Sequence, residues 1–348
     1  MDIDYIVVGQ GLAGSAVATQ LIQLGKKVVV FDDPPSNTSS RIAAGLFNPV
    51  TGKKMSRTWL ADKIFPYLHH YYQTLEKKTG SQFFFSMPLY RPFLSIEEQN
   101  EWMGRAGEAI YSPYVEKIHT QSVFSEIVNP YGGLLLRQCG FLDTNKYIQA
   151  VSILIGDQNT LLREVFSPDD LIMTDDGVSY REFTAKKIVW CTGVHNNKYF
   201  DWLPIRLLKG ETLSISTDLP EGMIINRGVY MVPGIDKGTW RVGATYNVHD
   251  KAPGVTTAGK SELEGKISEL IYPAYRVVDH QWGFRPTTPD RRPILGSHPE
   301  FRNLIVFNGL GTKGVSLAPY FSEVLVHWLE KKGSIDKEVD IDRFKSLY

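Results

Sequence analysis

Asp4-Tyr-Ile-Val-Val-Gly-Gln-Gly-Leu-Ala-Gly-Ser15 reads as a short buried strand running into a glycine-rich turn and then a helix. Gly9, Gly11 and Gly14 form G-x-G-x-x-G. The first glycine allows the tight turn, the second lets backbone approach a pyrophosphate, and the third lets helix and strand pack closely. An anion would rest on the helix N-terminus, against Gly9, Gly11, Leu12, Ala13 and Gly14, where free N–H groups and the dipole favour negative charge. Alone the motif says little, because glycine turns also occur where nothing binds. Here Ser15 to Leu24 continues as a helix stopped by Gly25, and Lys27 to Phe31 is a second apolar strand ending at Asp32 and Asp33. Asp32 lies 18 residues after Gly14, close to the roughly 20 expected of the acid that holds a ribose hydroxyl. The stretch is therefore a complete βαβ opening of a dinucleotide-binding domain.

The segment Asp33 to Gly52 is rich in turn formers, with small residues at Ala43, Ala44 and Gly45 that would let amides approach a flat, anionic ligand. Arg57 to about Thr79 reads as a helix with Trp59, Ile64, Tyr67, Leu68, Tyr71, Tyr72 and Leu75 on one broad face. His69 and His70 within it have no Cys or other His at ligand spacing, so no metal site is expected. Composition turns aromatic near residue 81, where a second domain is expected to start, with strands at Phe83–Phe85 and Leu89–Leu94 and a helix at 96–104. Residues 105–137 show little periodicity, and Asp143 to Ile155 is helical with Asp143 or Thr144 as cap.

A strand at Ile188 to Trp190 enters Cys191-Thr192-Gly193, a turn that a doubly wound fold places at the carboxyl end of the sheet, where ligands bind. Cys191 reads as an inert small hydrophobe rather than a reactive thiol. Leu203–Ile215 and Gly228–Asn247 carry alternating, antiparallel strand signals that suit a substrate-side sheet, and a helix is expected around 261–270. A strand at Leu304–Phe307, a turn with Gly309, Gly311 and Gly314, and a helix from Tyr320 to about Lys331 close the chain.

The chain has 348 residues, 43% hydrophobic, enough for a large core. Lys plus Arg and Asp plus Glu are both 38, and the zero net charge weighs against nucleic acid as the main partner. Two cysteines, Cys139 and Cys191, make no disulfide framework or metal spacing. No stretch approaches the roughly 20 apolar residues of a membrane span. A cytoplasmic protein is expected.

The combination of motifs resembles the D-amino-acid oxidase and glycine oxidase superfamily of flavin enzymes across nearly the whole chain. It rests on G-x-G-x-x-G with Asp32, the Ser39-Ser40-Arg41 to Gly45 loop, Trp190-Cys-Thr-Gly193 in place of strand-A-T-G, and Lys209-Gly210-Glu211 in place of R-G-Q. It rests also on Tyr230-Met-Val-Pro-Gly, Val242-Gly-Ala-Thr245, Trp282-Gly-Phe-Arg-Pro286 and Gly309-x-Gly-x-x-Gly314. The resemblance implies an α/β architecture of the glutathione-reductase type, with a Rossmann-like FAD-binding domain (1–80, 138–204 and 276–348) interleaved with an antiparallel-sheet substrate domain (81–137 and 205–275). FAD would be held noncovalently, because the 282–290 segment lacks the Cys to which covalently flavinylated relatives attach the ring. Val165, Cys191, Thr192, Gly193, Gly210, Arg285, Gly309, Gly311, Thr312, Lys313, Gly314 and Val315 join the residues above as implied cofactor contacts. Lys313 or nearby amides would stabilise charge on the reduced ring.

Arg285 matches the family arginine that pairs with the substrate carboxylate, a task suited to a planar fork. Tyr230 matches the tyrosine that helps hold that carboxylate, and Tyr246 is a further pocket candidate. The resemblance implies oxidation of a C–N bond in a small amino acid or secondary amine, by hydride transfer to flavin N5 and hydrolysis of the imine by water, with oxygen or an electron carrier as acceptor. Residues 308–319 are closest in wording to the oxidase domain of the bifunctional enzyme that matures carboxymethylaminomethyl-uridine in tRNA, so modified tRNA is the alternative substrate. A flavin protein without amine chemistry is a further alternative. An NAD dehydrogenase would leave Trp190–Gly193 and Gly309–Gly314 without a purpose.

Overall fold

The computed structural model describes residues 1–35, 37–52, 54–158, 160–195 and 198–348; Ser36, in the Asp33–Gly52 loop, lies outside them. The opening strand, Asp2–Val8, sits near the middle of a parallel run ordered Thr160–Leu162, Val28–Phe31, Asp2–Val8, Phe183–Trp190 and Leu304–Asn308. These strands read as continuous apolar runs because both faces are covered, and Ile6, Val7, Val29 and Val30 are buried. One face carries helices Leu12–Gln23, Thr144–Gln158 and Gly314–Leu329, with Ala61–Thr79 against the last two. The other carries Phe166, Tyr180, Phe200 and the C-terminal Phe344. Strand Phe183–Trp190 is longer than the expected 188–190: its first half pairs with Val178–Tyr180 and its second with Leu304–Val306.

This topology has one consequence for function. Gly9, Asp32, Cys191 and Gly309 all follow the carboxyl ends of neighbouring parallel strands, the edge at which such sheets bind ligands. Four stretches scattered over 300 residues of sequence are thereby brought to one rim.

The second sheet is ordered Tyr275–Thr287, Arg206–Thr217, Thr239–Gly243, Val229–Pro233, Ile224–Arg227, Leu89–Pro92, Gly133–Leu136 and Val115–His119. It is antiparallel except where Ile224–Arg227 meets Leu89–Pro92. One face is closed by helix Thr257–Ser268 over Leu213, Met231, Trp240 and Val242, and the other turns toward the parallel-sheet side. Strand Tyr275–Thr287 pairs with Arg206–Thr217 along its length, so the segment beginning at 276 opens in this sheet and not on the flavin side.

Several elements differ from the sequence reading. The helix expected from Arg57 starts at Ala61, because Ser56–Arg57 pairs with Val50–Thr51 in a small hairpin. Residues 105–137 supply two strands, short enough to leave little periodic signal. The helix expected around 261–270 is Thr257–Ser268, with the Thr256 hydroxyl accepting the Gly259 N–H at 2.9 Å. The last helix begins at Gly314, six residues before the expected start, so its glycine turn feeds the helix directly as the first one does. Asp143 caps Thr144–Gln158, its Oδ1 accepting the Lys146 N–H at 3.1 Å.

The helix–strand crossing at the opening turn leaves no room for a side chain: a Cβ on Gly14 would overlap the Gly9 carbonyl oxygen. Gly14→Ala is expected to destabilise by about 1–3 kcal/mol, as overpacked sites do. Gly104→Ala, in an open helix position, is expected to leave the thermal midpoint unchanged or slightly raised. Thermal unfolding of the two variants side by side checks this.

Candidate functional site

The rim of the parallel sheet gathers most of the expected cofactor residues. Helix Leu12–Gln23 starts at Gly11 with no side-chain cap, and helix Gly314–Leu329 starts at Lys313 with none either. Apart from the Leu12 N–H, the N–H groups of their first turns have no side-chain acceptor among the described residues. The two starts touch, since a Cβ on Gly314 would lie 3.0 Å from Leu12 Cδ1. Ser40 Oγ accepts the Leu12 N–H at 3.1 Å, which leaves its hydroxyl proton to donate toward an anion. A Cβ on Gly11 would stand 2.8 Å from that same oxygen, and one on Gly45 would overlap Leu142 O.

Asp32 is buried. Its Oδ1 accepts the Gln10 N–H at 2.7 Å and its Oδ2 pairs with Arg163 Nη1 at 2.9 Å. A carboxylate has about four acceptor positions, so two remain for ribose hydroxyls. Burial pushes this carboxyl up, with the Gln10 N–H and Arg163 acting against it. Cys191 lies between the two glycines that need the space: the Gly9 position would meet its carbonyl at 2.7 Å and the Gly14 position its Cβ at 3.3 Å. A small residue is required there, and cysteine meets that need. Burial raises its thiol pKa well above the ordinary value, in keeping with an inert role. Asn308 Nδ2 donates to Gly193 O at 2.8 Å and ties the third and fourth rim segments together.

Not every expected contact is drawn in. Val165 follows the strand beside Asp32, but its side chain is 67% exposed, and Asp33 and Thr312 are exposed as well. Lys313 is half-buried, donating to Thr51 Oγ1 at 3.3 Å and Thr58 Oγ1 at 3.2 Å, with no carboxylate within 4.0 Å among the described residues. Desolvation, then Arg291, lowers its pKa.

The face of the second sheet that turns toward this rim is floored by glycines. Gly210 pairs with Gly283 and Thr212 with Gly243, which in turn faces Tyr230. A Cβ on Gly210 would overlap the Arg285 guanidinium, and one on Gly243 would lie 2.5 Å from the Tyr230 hydroxyl. Both side chains thus lie flat along the sheet. Arg285 donates to Thr245 O at 3.4 Å, and its guanidinium stands 5.1 Å from the Tyr246 ring centroid. Among the described residues it has no ion-pair partner within 4.0 Å. Tyr246 is 63% exposed and forms the outer wall. Arg241, which sequence reasoning does not single out, binds Ala43 O at 3.0 Å, Ile42 O at 3.1 Å and Gln281 Oε1 at 3.1 Å. It fastens this face to the Ser39–Gly45 loop. Its only sequence signal is alternation, opposite to its buried neighbours Trp240 and Val242.

Lys209 and Glu211 point to the other face by the same alternation. Lys209, 1% exposed, pairs with Asp250 Oδ2 at 2.6 Å and donates to Ala252 O at 2.9 Å. Glu211 accepts from Thr256 N at 2.9 Å and Thr256 Oγ1 at 2.8 Å, with His280 Nε2 2.8 Å away. Together they hold, from behind, the loop that carries Tyr246.

Gly210 has an extended backbone that alanine can adopt, so Gly210→Ala should fold while displacing the Arg285 guanidinium. Affinity for a carboxylate ligand is expected to fall at least about tenfold, measured by titration, with thermal stability little changed. The Tyr230 phenol is pushed up to about 12 by burial, with Arg285 pulling it the other way. It stays protonated at neutral pH, so Tyr230→Phe is expected to leave both limbs of a pH–rate profile between about pH 6 and 10 in place.

The known proteins to which this chain is similar are distant in sequence. The ThiO/ThiG bifunctional protein of Trichormus variabilis is 24% identical over 96% of this chain and 54% of its own length. The tRNA 5-methylaminomethyl-2-thiouridine biosynthesis bifunctional protein MnmC of Saccharophagus degradans is 23% identical over 92% of this chain and 52% of its own. The chain thus spans about half the length of these curated relatives. Glycine oxidase from Geobacillus kaustophilus shares the fold, with a TM-score of 0.76 at 21% identity over 99% of this chain and 98% of that one. No helix among the described residues is long and apolar enough to cross a membrane. The family model for FAD dependent oxidoreductases of the DAO type matches residues 4–328, and the chain belongs to that family.

Proposed function

We propose that this protein oxidises the C–N bond of a small amino acid or secondary amine that carries a carboxylate, with noncovalent FAD. The observation that carries the reading is Arg285: a guanidinium laid on a glycine floor, facing an aromatic wall and without a carboxylate partner among the described residues. A buried or half-buried cation without an anion is costly, and a substrate carboxylate supplies one.

The chain's own groups can do the positioning. Arg285 takes the carboxylate by its fork, and Tyr230, a neutral donor lying over Gly243, adds a hydrogen bond from the side. Tyr246 limits the outer side. The uncapped starts of helices Leu12–Gln23 and Gly314–Leu329 would hold the pyrophosphate and the charge-bearing edge of the ring, and Asp32 the ribose. FAD supplies the hydride acceptor when bound. No histidine or carboxylate stands beside Arg285 and Tyr230 as a general base among the described residues, which suits a substrate bound with its amine neutral. A cytoplasmic setting fits the two free, buried thiols.

A second reading, in which the amine is a carboxymethylaminomethyl group on tRNA uridine, draws on the wording of residues 308–319 and the MnmC relative. It keeps the same role for Arg285.

The test is anaerobic bleaching of the flavin absorbance of the purified protein by glycine, sarcosine, D-amino acids, proline and modified tRNA. Arg285→Ala is expected to lower kcat/KM by about a hundredfold, the loss of about 3 kcal/mol from two charge-assisted hydrogen bonds. Bleaching only by modified tRNA would move the reading to the second substrate. A protein that cannot be reconstituted with FAD would overturn both.

A further inference from the structure

A second unanswered charge stands on the same sheet face as Arg285. Arg91 lies on strand Leu89–Pro92, where its same-face neighbours Leu89 and Phe93 are buried in the core shared with Met55 and Trp102. Leu134, directly across, is fully buried. Arg91 Nε is shut off from solvent and has no hydrogen-bond partner among the described residues. Among the described residues the guanidinium makes no ion pair within 4.0 Å. The neighbouring carboxylate, Glu98, is already engaged: Oε1 takes Arg227 Nη1 at 2.8 Å and Oε2 takes the Leu94 N–H at 2.8 Å. Two arginines therefore share one acid, and Arg91 is the one left over. Burial, then Arg227, lowers its pKa to about 10, so it is still a cation at neutral pH.

An unmet buried donor costs about 1–3 kcal/mol, more for a charged group. The strand register says where its answer would come from. Ile225 sits beside Tyr90, which puts Asn226 and Arg91 together on the opposite face. Asn226 faces Tyr230, Tyr230 faces Gly243, and Gly243 faces Thr212. One row of that face thus runs from Arg91 through Asn226 and Tyr230 to the strand over which the Arg285 guanidinium is laid. Four inter-strand steps separate its ends, roughly 19 Å from backbone to backbone.

We propose that Arg91 binds a second anionic group of the substrate, carried on an arm several bonds beyond the reacting amine, while Arg285 takes the amino acid carboxylate. The proposal rests on the amine reading above and names its substrate class: a secondary amine with an acid at each end. The far anion is a carboxylate in an N-carboxymethyl ω-amino acid and a phosphate in a 5-carboxymethylaminomethyl-uridine nucleotide.

The test uses the holoenzyme and the series HOOC-CH2-NH-(CH2)n-COOH with n from 1 to 6, beside sarcosine, which has no second acid. 5-Carboxymethylaminomethyl-uridine with and without a 5′-phosphate forms a separate arm. In the wild type, kcat/KM is expected to rise at least about tenfold over sarcosine at the longer arms, or on adding the phosphate, depending on the source of the anion. Arg91→Met is expected to erase that ratio and Arg91→Lys, which keeps the charge, to restore part of it. A wild type that uses all members like sarcosine, or variants that lower every substrate in equal proportion, overturns the proposal. Should no amine reduce the flavin, the amine reading fails separately. The thioethers HOOC-CH2-S-(CH2)n-COOH, titrated by tryptophan fluorescence against (methylthio)acetate, then decide Arg91 alone: a diacid preference lost in Arg91→Met supports it, and equal binding refutes it. If Arg91→Met fails to fold, Arg91→Lys in the same titrations is expected to lower the diacid preference part-way, and a preference left unchanged refutes the proposal.

Discussion

Everything at the rim depends on how closely helix Leu12–Gln23 can approach the strand that precedes it. Gly14 lies against the Gly9 carbonyl with no room for a single methyl group, and Cys191 fills the remaining gap. That contact fixes where the first turn of the helix points its free N–H groups. The start of helix Gly314–Leu329 is placed by contact with Leu12, so a second set of free donors is aimed by the first. Ser40 Oγ takes the Leu12 N–H, and neither helix's own cap residue supplies a side-chain acceptor for the remaining donors. Those remaining N–H groups are placed for an anionic group to complete.

The second sheet divides its work between faces by simple alternation. Along Leu208 to Thr212, the even positions lie under Arg285 and beside Gly243, while Lys209 and Glu211 reach behind to the loop of Tyr246. This explains how Lys and Glu can stand where relatives are expected to have Arg and Gln. Their duty here is to hold a loop by charge and hydrogen bond, and both pairs can do that. Glycine at 210 has no such latitude, because it touches the guanidinium itself.

How much of this is legible in the residues alone follows from the range of each signal. The glycine turns, Asp32 and the βαβ opening are local, so spacing alone reveals them. The start of helix Gly314–Leu329 is hidden because Gly314 and Pro319 are poor helix formers; Gly314 stands at the first helical position, where no side chain is needed, and the Val315 carbonyl that Pro319 cannot pair accepts the Tyr72 hydroxyl at 2.8 Å. Val165 matches by resemblance alone: its side chain is exposed beside the strand next to Asp32, and no local signal in the residues points to it. Arg241 and Arg91 escape a reading of the sequence for a different reason. Alternation tells which face a strand residue joins, but not what covers that face, and only the covering loop makes Arg241 a fastener or leaves Arg91 without an anion.

The cations of this cleft are best understood by contrast with those elsewhere in the molecule. Lys209 is more deeply buried than Arg285 or Arg91, and it has Asp250; Arg163 has Asp32, and Arg343 has Asp290. These three structural cations each have an acid, whereas Arg241 is held by carbonyl oxygens alone. Toward the flavin side, Arg285, Arg91 and Lys313 meet carbonyls, hydroxyls or nothing among the described residues. Desolvated positive charge left unpaired lowers stability in the empty protein and lowers the cost of bringing in a negative group. Such unpaired cations suit a ligand with several anionic centres. On the proposed reading the cofactor's phosphates would lie toward the helix starts, and the sheet-side arginines would be left to the substrate.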